Sequence, residues 1–330
     1  MTALAPLLQS FFSDRLMTQK HASSNTISSY RDTFKLLLNF AREQTGKSPS
    51  QLDISDLDAS VVTAFLIYLE TTRGNSPRTS NSRLAAIHSL FSYAALHHPE
   101  HSADIQRVLA IPTARTNRSI VAWLDHAEAA ALLESCDQNT RTGRRDYAMF
   151  TLTSQTGLRV SELIGLNVKD LHLDAGAHVH CEGKGRKERC TPLLPETVEV
   201  MKNWIEERAG IAGDPLFTTH SGSRLSRDAV EQRLRVTSAK AALVCPSLKD
   251  KAVTPHVLRH TAAMRLLQAG VDSTVIALWL GHEQVSTTNV YIHADMTLKE
   301  SAIAKVAPTG LAKQARYQPT DTVMAFLESL

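Results

Sequence analysis

One interval of the sequence, Leu171 to Leu194, is written in a two-residue period, whereas the other apolar stretches repeat at three and four residues. Val179 and Cys181 alternate there with His178, His180 and Glu182, the turn is Gly183-Lys184-Gly185-Arg186-Lys187, and Glu188-Arg189-Cys190-Thr191-Pro192 returns. Successive strand side chains point to opposite faces, so alternation on both sides of a glycine-flanked turn predicts a β-hairpin with a basic tip. One short hairpin among helical stripes makes the chain mainly α with a small antiparallel β-sheet.

The helical stripes before it come in succession. Leu4, Leu7, Leu8, Phe11, Phe12 and Leu16 recur at core-facing spacing, and after Thr26 a second stripe carries Ile27, Tyr30, Phe34, Leu37 and Leu38. A third, from about Asp58 to Glu70, carries Val62, Phe65 and Leu69. Ser76-Pro77 opens a fourth, because a serine hydroxyl caps free N–H groups and proline fits the first turn. Four helices predict an all-helical domain over residues 1–110. Arg78 and Arg83, with Thr79, Ser80 and Asn81 between them, stand at the start of the fourth helix. Such groups contact DNA, but helix starts favour the same residue types, so both readings stay open. His97, His98 and His101 surround Pro99 with no further ligand and read as a helix-end loop rather than a metal cluster. Residues 111–122, with Arg115 and Arg118 and no apolar period, read as an interdomain linker able to lie along a phosphate backbone.

Charge has to be read locally here. With 36 Lys and Arg against 33 Asp and Glu the net charge is only +3, so composition alone is weak support for a nucleic-acid partner. The segment holding Arg224, Arg227, Arg233 and Arg235 supplies a basic helix face that suits phosphate, solvated arginines being the alternative. The four cysteines, Cys136, Cys181, Cys190 and Cys245, form no Cys-x-x-Cys pair, which argues against a zinc site or a secreted disulfide framework and for a reducing cytoplasm. Cys181 and Cys190 are expected to face each other across the hairpin as free thiols. Met1 to Ser13 lack the pattern of a signal peptide and no stretch approaches membrane-spanning length, so no membrane association is expected.

A second domain is expected over residues 123–306. Asp125 and Glu128 form a capping box ahead of a new helix. Further on, in Thr156-Gly157-Leu158-Arg159-Val160-Ser161-Glu162, Gly157 ends one helix, Ser161 is expected to help start the next and Arg159 sits at the corner. Thr254-Pro255 then starts a helix on which His256, Arg259 and His260 stand three and four residues apart, on one face near the positive end of the dipole. A short apolar helix from Thr274 to Leu280, stopped by Gly281, delivers His282, and Tyr291 follows. Imidazole, guanidinium and phenol without a carboxylate cluster point to phosphoryl transfer onto a protein nucleophile, with charge neutralised by arginine and neither metal nor cofactor required.

The ordered motifs Thr-Gly-Leu-Arg159-Val-Ser-Glu-Leu, Gly-Lys184-Gly, His256-x-x-Arg259-His260, Leu-Gly-His282 and Tyr291 resemble the tyrosine recombinases, the phage integrase family, and look most like its compact Xer-like members. The resemblance runs from the helical first domain to about Ala304. It implies a helical core-binding domain and a catalytic domain that close around double-stranded DNA with paired recombination half-sites, acting as a tetramer through a Holliday junction. It also implies roles. Tyr291 would form a 3′-phosphotyrosyl bond and free a 5′ hydroxyl, Arg159 and Arg259 would hold the non-bridging oxygens, and His256 and His282 would contact the phosphoryl group and manage the tyrosine proton. Lys184 would protonate the departing 5′ oxygen, with Arg186 and Lys187 beside it against DNA. Glu162 is expected to support the arginine corner and His260 to buttress His256.

Two other functions share most of these features, a type IB topoisomerase-like nicking and closing enzyme and a catalytically silent DNA-binding protein. Integration, resolution and mobile-element movement all remain open as the biological role. In the tail, residues 307–330, a polar linker precedes a short helix with Val323, Phe326, Leu327 and Leu330 on one face, which must bury itself on its own domain or on a neighbouring protomer.

Overall fold

The computed structural model describes residues 3–116, 121–183, 188–210 and 213–282, together with Thr288 and Tyr291. The chain divides into two units between Arg118 and Ser119. It is mainly helical with one three-stranded antiparallel sheet.

In the first unit α1 (Leu4–Ser10) continues as a π-helical stretch, Phe11–Gln19, followed by α2 (Ser24–Thr45), α3 (Ala59–Thr71), α4 (Pro77–His97) and α5 (Ser102–Leu109). Side chains of Ser23, Asp58 and Ser76 accept the N–H groups of Thr26, Val61 and Thr79 and so start α2, α3 and α4. The core is aromatic at its centre, where fully buried Phe11 meets the rings of Phe12, Tyr30, Phe34 and Tyr93. The four-helix expectation is one helix short. In α5 only Ile105 and Val108 are buried, too few turns for a period to show in sequence, and His88 fixes the helix through Nε2, 3.0 Å from the Val108 carbonyl oxygen. His97 closes α4 and Pro99–His101 form a short 3₁₀ turn. Ala114, in the stretch read as linker, exchanges two hydrogen bonds with the Asn81 side chain at 2.8 and 2.9 Å. The Asn81 amide is thus engaged within its own unit rather than free for a base edge.

The second unit contains α6 (His126–Glu134), α7 (Arg141–Thr156), α8 (Val160–Gly165), β1 (Leu171–His172), β2 (His178–Glu182), β3 (Glu188–Pro192), α9 (Pro195–Arg208), α10 (Arg227–Val244), α11 (Pro255–Gln268) and α12 (Ser273–Leu280). The hairpin gains a third strand, since β1 pairs with β2 through Leu171 opposite Val179. Register pairs Cys181 with Arg189 and His180 with Cys190. The two thiols are therefore offset by one residue and lie on opposite faces, which corrects the expectation that they face each other. All four cysteines are free. Among the described residues no helix is long and apolar enough to cross a membrane.

Two buried polar anchors fix the start of α11. The Asp125–Glu128 capping box forms with both bonds at 2.9 Å, and the same Glu128 carboxylate accepts Lys251 Nζ at 2.6 Å and Ser247 Oγ at 2.7 Å. Burial raises this carboxyl's pKa, but the bonds from Lys251, Ser247 and the Asp125 amide outweigh burial and hold it below the usual carboxylate value. Within α11, fully buried Thr261 accepts the Leu124 amide at 2.9 Å and donates to the Val257 carbonyl at 2.8 Å. Replacing Thr261 by valine keeps the shape but strands the Leu124 N–H, and should cost about 1–3 kcal/mol of unfolding free energy in denaturant titration. Serine at the same position keeps the acceptor and should lose less.

Candidate active site

Each candidate residue is placed by a chemically defined helix end. Gly157 takes the left-handed conformation (φ 65) that terminates α7, and a Cβ there would stand 2.5 Å from Leu280 Cδ2. Arg159 occupies the N-cap position of α8, and the Glu162 carboxylate accepts its amide at 2.7 Å. The start of α8 is therefore capped by Glu162, not by Ser161 as the sequence suggested. Thr254 caps α11 by accepting the Val257 amide, as expected, which sets His256, Arg259 and His260 on its first turns. Asp272 caps α12, and Gly281 (φ 64) ends it just before His282.

The last carbonyls of α12 gather both guanidiniums. Arg259, 4 % exposed, donates from Nη2 to Leu280 O at 2.7 Å and from Nη1 to Gly157 O at 2.6 Å. Arg159 donates from Nη2 to Gly281 O at 2.9 Å and from Nη1 to Glu162 Oε1 at 2.8 Å. Burial, and after it the charge of Arg159, lowers the Arg259 pKa to about 10. Two like charges held this close make a site that gains stability from an anion.

Around them stand imidazoles and the phenol. Tyr291 is 2 % exposed, and its hydroxyl lies 3.0 Å from His260 Nδ1. The ring of His282 lies nearly parallel to that of Tyr291 at 6.3 Å, and His282 Nδ1 is 2.9 Å from Thr288 Oγ1. His256 is the outermost of the three, its ring 6.3 Å from that of His260. His260 thus stacks near His256, as expected, and also engages the phenol directly. Burial first, then neighbouring His256 and Arg259, depresses His260 to about 4, and burial with Arg259 and Arg159 depresses His282 to about 4. Burial raises Tyr291 above its ordinary value, against the opposing pull of Arg259 and Arg159. At neutral pH the resting site therefore holds neutral imidazoles and a protonated phenol.

Arg159, Glu162, His256, Arg259, His260, His282 and Tyr291 come together, while Lys184, Arg186, Lys187 and Arg118 lie outside the described residues. Two contributors had escaped sequence reading, Thr288 and Arg189. Arg189 pairs with Glu162 at 2.8 Å, and its signal was an arginine on the inward face of a strand, in phase with Thr191. The arginines read as DNA contacts are placed differently from one another. Arg78 and Arg115 are exposed, and Arg227 is exposed with a loose pair to Glu231 at 3.9 Å. Arg235 is bonded to Gln232 of its own helix. Arg83 is part-buried, and burial followed by the charge of Arg73 lowers its pKa. Arg224 donates to the carbonyls of Ile164 and Leu166 and to Asn167 Oδ1, and Arg233 pairs with buried Asp146, so both already hold the second unit together.

Residues 122–297 match the profile of the Phage integrase family, and residues 9–98 that of the Phage integrase N-terminal SAM-like domain. The y4rC protein of Sinorhizobium fredii is 51 % identical over 99 % of this chain and 98 % of its own length. Tyrosine recombinase XerD of Listeria innocua is 32 % identical over 84 % of this chain and 91 % of its own. Among solved structures, the XerH site-specific recombinase bound to palindromic difH substrate in a post-cleavage complex superposes with a TM-score of 0.69 at 25 % identity, covering 87 % of this chain and 81 % of that one. Helical first unit, mixed second unit and clustered arginines define the class, an integrase-type recombinase. The chain belongs to the phage integrase family, the tyrosine recombinases.

The imidazoles give the site a pH signature. In an unfolded chain His260 and His282 protonate near 6.5, but in the folded site only near 4. Between those values the unfolded chain binds more protons, so this contribution to stability is complete above about 6.5 and is lost as pH falls towards 4. Thermal midpoints measured from neutral pH down to about 4 should fall across that window, and the fall should be shallower in His260→Gln and His282→Gln variants.

Proposed function

We propose that this chain is a site-specific DNA recombinase in which Tyr291 is the nucleophile. The observation that carries the reading is the pair of consecutive carbonyls, Leu280 O and Gly281 O, that hold Arg259 and Arg159 beside a phenol already bonded to a neutral imidazole. Each guanidinium has five N–H donors, so anchoring by carbonyl and carboxylate leaves further donors for a phosphate's non-bridging oxygens.

In the proposed step Tyr291 Oη attacks the scissile phosphorus, the P–O5′ bond breaks, and a 3′-phosphotyrosyl ester forms. The phenol proton passes to an imidazole. His260 is the one in hydrogen-bond contact; burial first, then His256 and Arg259, suppresses its protonation, and a phosphate that offsets the Arg259 charge eases the last of these. His256 and His282 contact the phosphoryl group, Arg159 and Arg259 stabilise charge developing on its oxygens, and Lys184 delivers a proton to the departing 5′ oxygen. The ester conserves the bond energy, so attack by another strand's 5′ hydroxyl reverses the step on a new partner. Exposed Arg78, Arg115 and Arg227, with Arg118, Arg186, Lys187 and Arg235, are the proposed phosphate contacts along double-stranded DNA. Pairing of half-sites in a tetramer and action in the cytoplasm belong to the same reading. It is supported by the similarity to XerD and to the DNA-bound XerH complex.

Incubation with a randomised pool of nicked duplexes should trap a denaturation-resistant protein–DNA adduct, and Tyr291→Phe should trap none. An unchanged adduct in Tyr291→Phe sinks the assignment of the nucleophile, and no adduct from the wild type favours a silent DNA-binding protein. A Holliday-junction product separates recombination from simple nicking and closing. Replacing the bridging 5′ oxygen by sulfur gives a leaving group that needs no proton, so a Lys184→Ala defect should shrink on that substrate.

A further inference from the structure

We infer that Arg189 is a positioning residue for Arg159, acting through both of that arginine's supports, Glu162 and Gly281; this rests on the proposed role of Arg159 at a phosphate. Arg189 projects from β3 opposite Cys181, with its side chain 10 % exposed. Nη1 and Nη2 donate to Oε1 and Oε2 of Glu162 at 2.9 and 2.8 Å, the two-point geometry of a planar guanidinium on a carboxylate. Arg159 supplies the other two bonds, from its amide to Oε2 at 2.7 Å and from Nη1 to Oε1 at 2.8 Å. A carboxylate offers about four lone-pair sites, and these bonds occupy them. The plane of Glu162 is thus set by Arg189, and the direction of the Arg159 fork follows from that plane.

The second support is touched independently. A Cβ built on Gly281 would stand 2.8 Å from Arg189 Nη1 and 3.4 Å from its Cδ, so the arginine rests against the peptide whose carbonyl accepts Arg159 Nη2. Arg189 also settles a competition. Glu162, its side chain 3 % exposed, needs cationic partners, and with Arg189 removed it would draw Arg159 into a two-point pair of its own. The donors that Arg159 is to offer a phosphate would then be spent on the acid. Sharing Glu162 between two arginines keeps Arg159 oriented and leaves the site with its excess positive charge.

The test uses full-length protein and a nicked duplex carrying a sequence enriched from the randomised pool by wild-type covalent trapping. It is made in two forms, one with an ordinary scissile phosphate and one with a methylphosphonate, which lacks the negative non-bridging oxygen. Arg189→Lys, which keeps the charge but not the fork, should lose about 10–100-fold in single-turnover cleavage, with duplex affinity unchanged. On the methylphosphonate the Arg189→Lys and Arg159→Ala deficits should shrink together, a coupling that general structural damage would not produce. A wild-type rate in Arg189→Lys, or a deficit equal on both linkages while that of Arg159→Ala shrinks, overturns the inference and leaves the role of Arg159 standing. Full cleavage of the ordinary phosphate by Arg159→Ala overturns that role and the inference with it, as does a pool that yields no wild-type adduct. Should Arg189→Lys fail to fold, Glu162→Gln, which keeps the side chain's shape and weakens both pairs, is judged by the same comparison.

Discussion

The paired guanidiniums of the second unit depend on the C-terminal turn of α12. An α-helix leaves its last carbonyls without intrahelical donors, and here two of these orphans, Leu280 O and Gly281 O, are satisfied by guanidiniums from α11 and from the corner before α8. The negative end of the helix dipole lowers the cost of holding two cations side by side. Gly157, the left-handed residue that closes α7, gives Arg259 its other acceptor and leaves no room for a side chain against Leu280. Three helix ends therefore converge on one pair of arginines, and a shift in any of them would misdirect both.

Glu162 complements that arrangement with a single negative charge. Burial pushes its carboxyl up, but the bonds and charge of Arg189, and after them those of Arg159, outweigh burial and hold it below its ordinary value. One acid shared by two arginines, with a third nearby on backbone carbonyls, leaves the cluster short of anions. In the proposed reaction that shortage would act as electrostatic preorganisation, the positive charge being fixed before a phosphate binds. Burial, with neighbouring positive charge behind it, keeps His260 and His282 neutral, and the Tyr291 hydroxyl lies within hydrogen-bond distance of His260.

Arginine also does a second kind of work in this chain. Arg145 and Arg233 pair with Asp146, which is fully buried, and Arg224 binds the carbonyls at the end of α8. These are internal fastenings, built from the same residue type that elsewhere faces solvent. A basic stretch read from sequence thus mixes side chains that hold the fold with side chains that face solvent. Burial and partner geometry separate them, and the linear spacing does not.

The sequence by itself determined most of the elements and many of their ends. Period-two alternation marked the hairpin, Ser76, Asp125 and Thr254 marked helix starts, and Gly157 and Gly281 marked helix stops, because these signals act over a few residues of backbone. The family motifs singled out Arg159, His256, Arg259, His282 and Tyr291, all of which the fold gathers into one neighbourhood. Local signals missed α5, whose buried positions are too few to declare a period, and pointed to Ser161 for the start of α8, where Glu162, expected only to support the arginine corner, also accepts the Arg159 amide. What only the tertiary structure decided is which partner each side chain takes: His260 on Tyr291 as well as against His256, Arg189 on Glu162, and both clustered guanidiniums on consecutive carbonyls at the end of α12. Those contacts join residues tens to more than a hundred positions apart. Spacing along one helix or strand carries no information about them, and they exist only once the helix ends have been packed together.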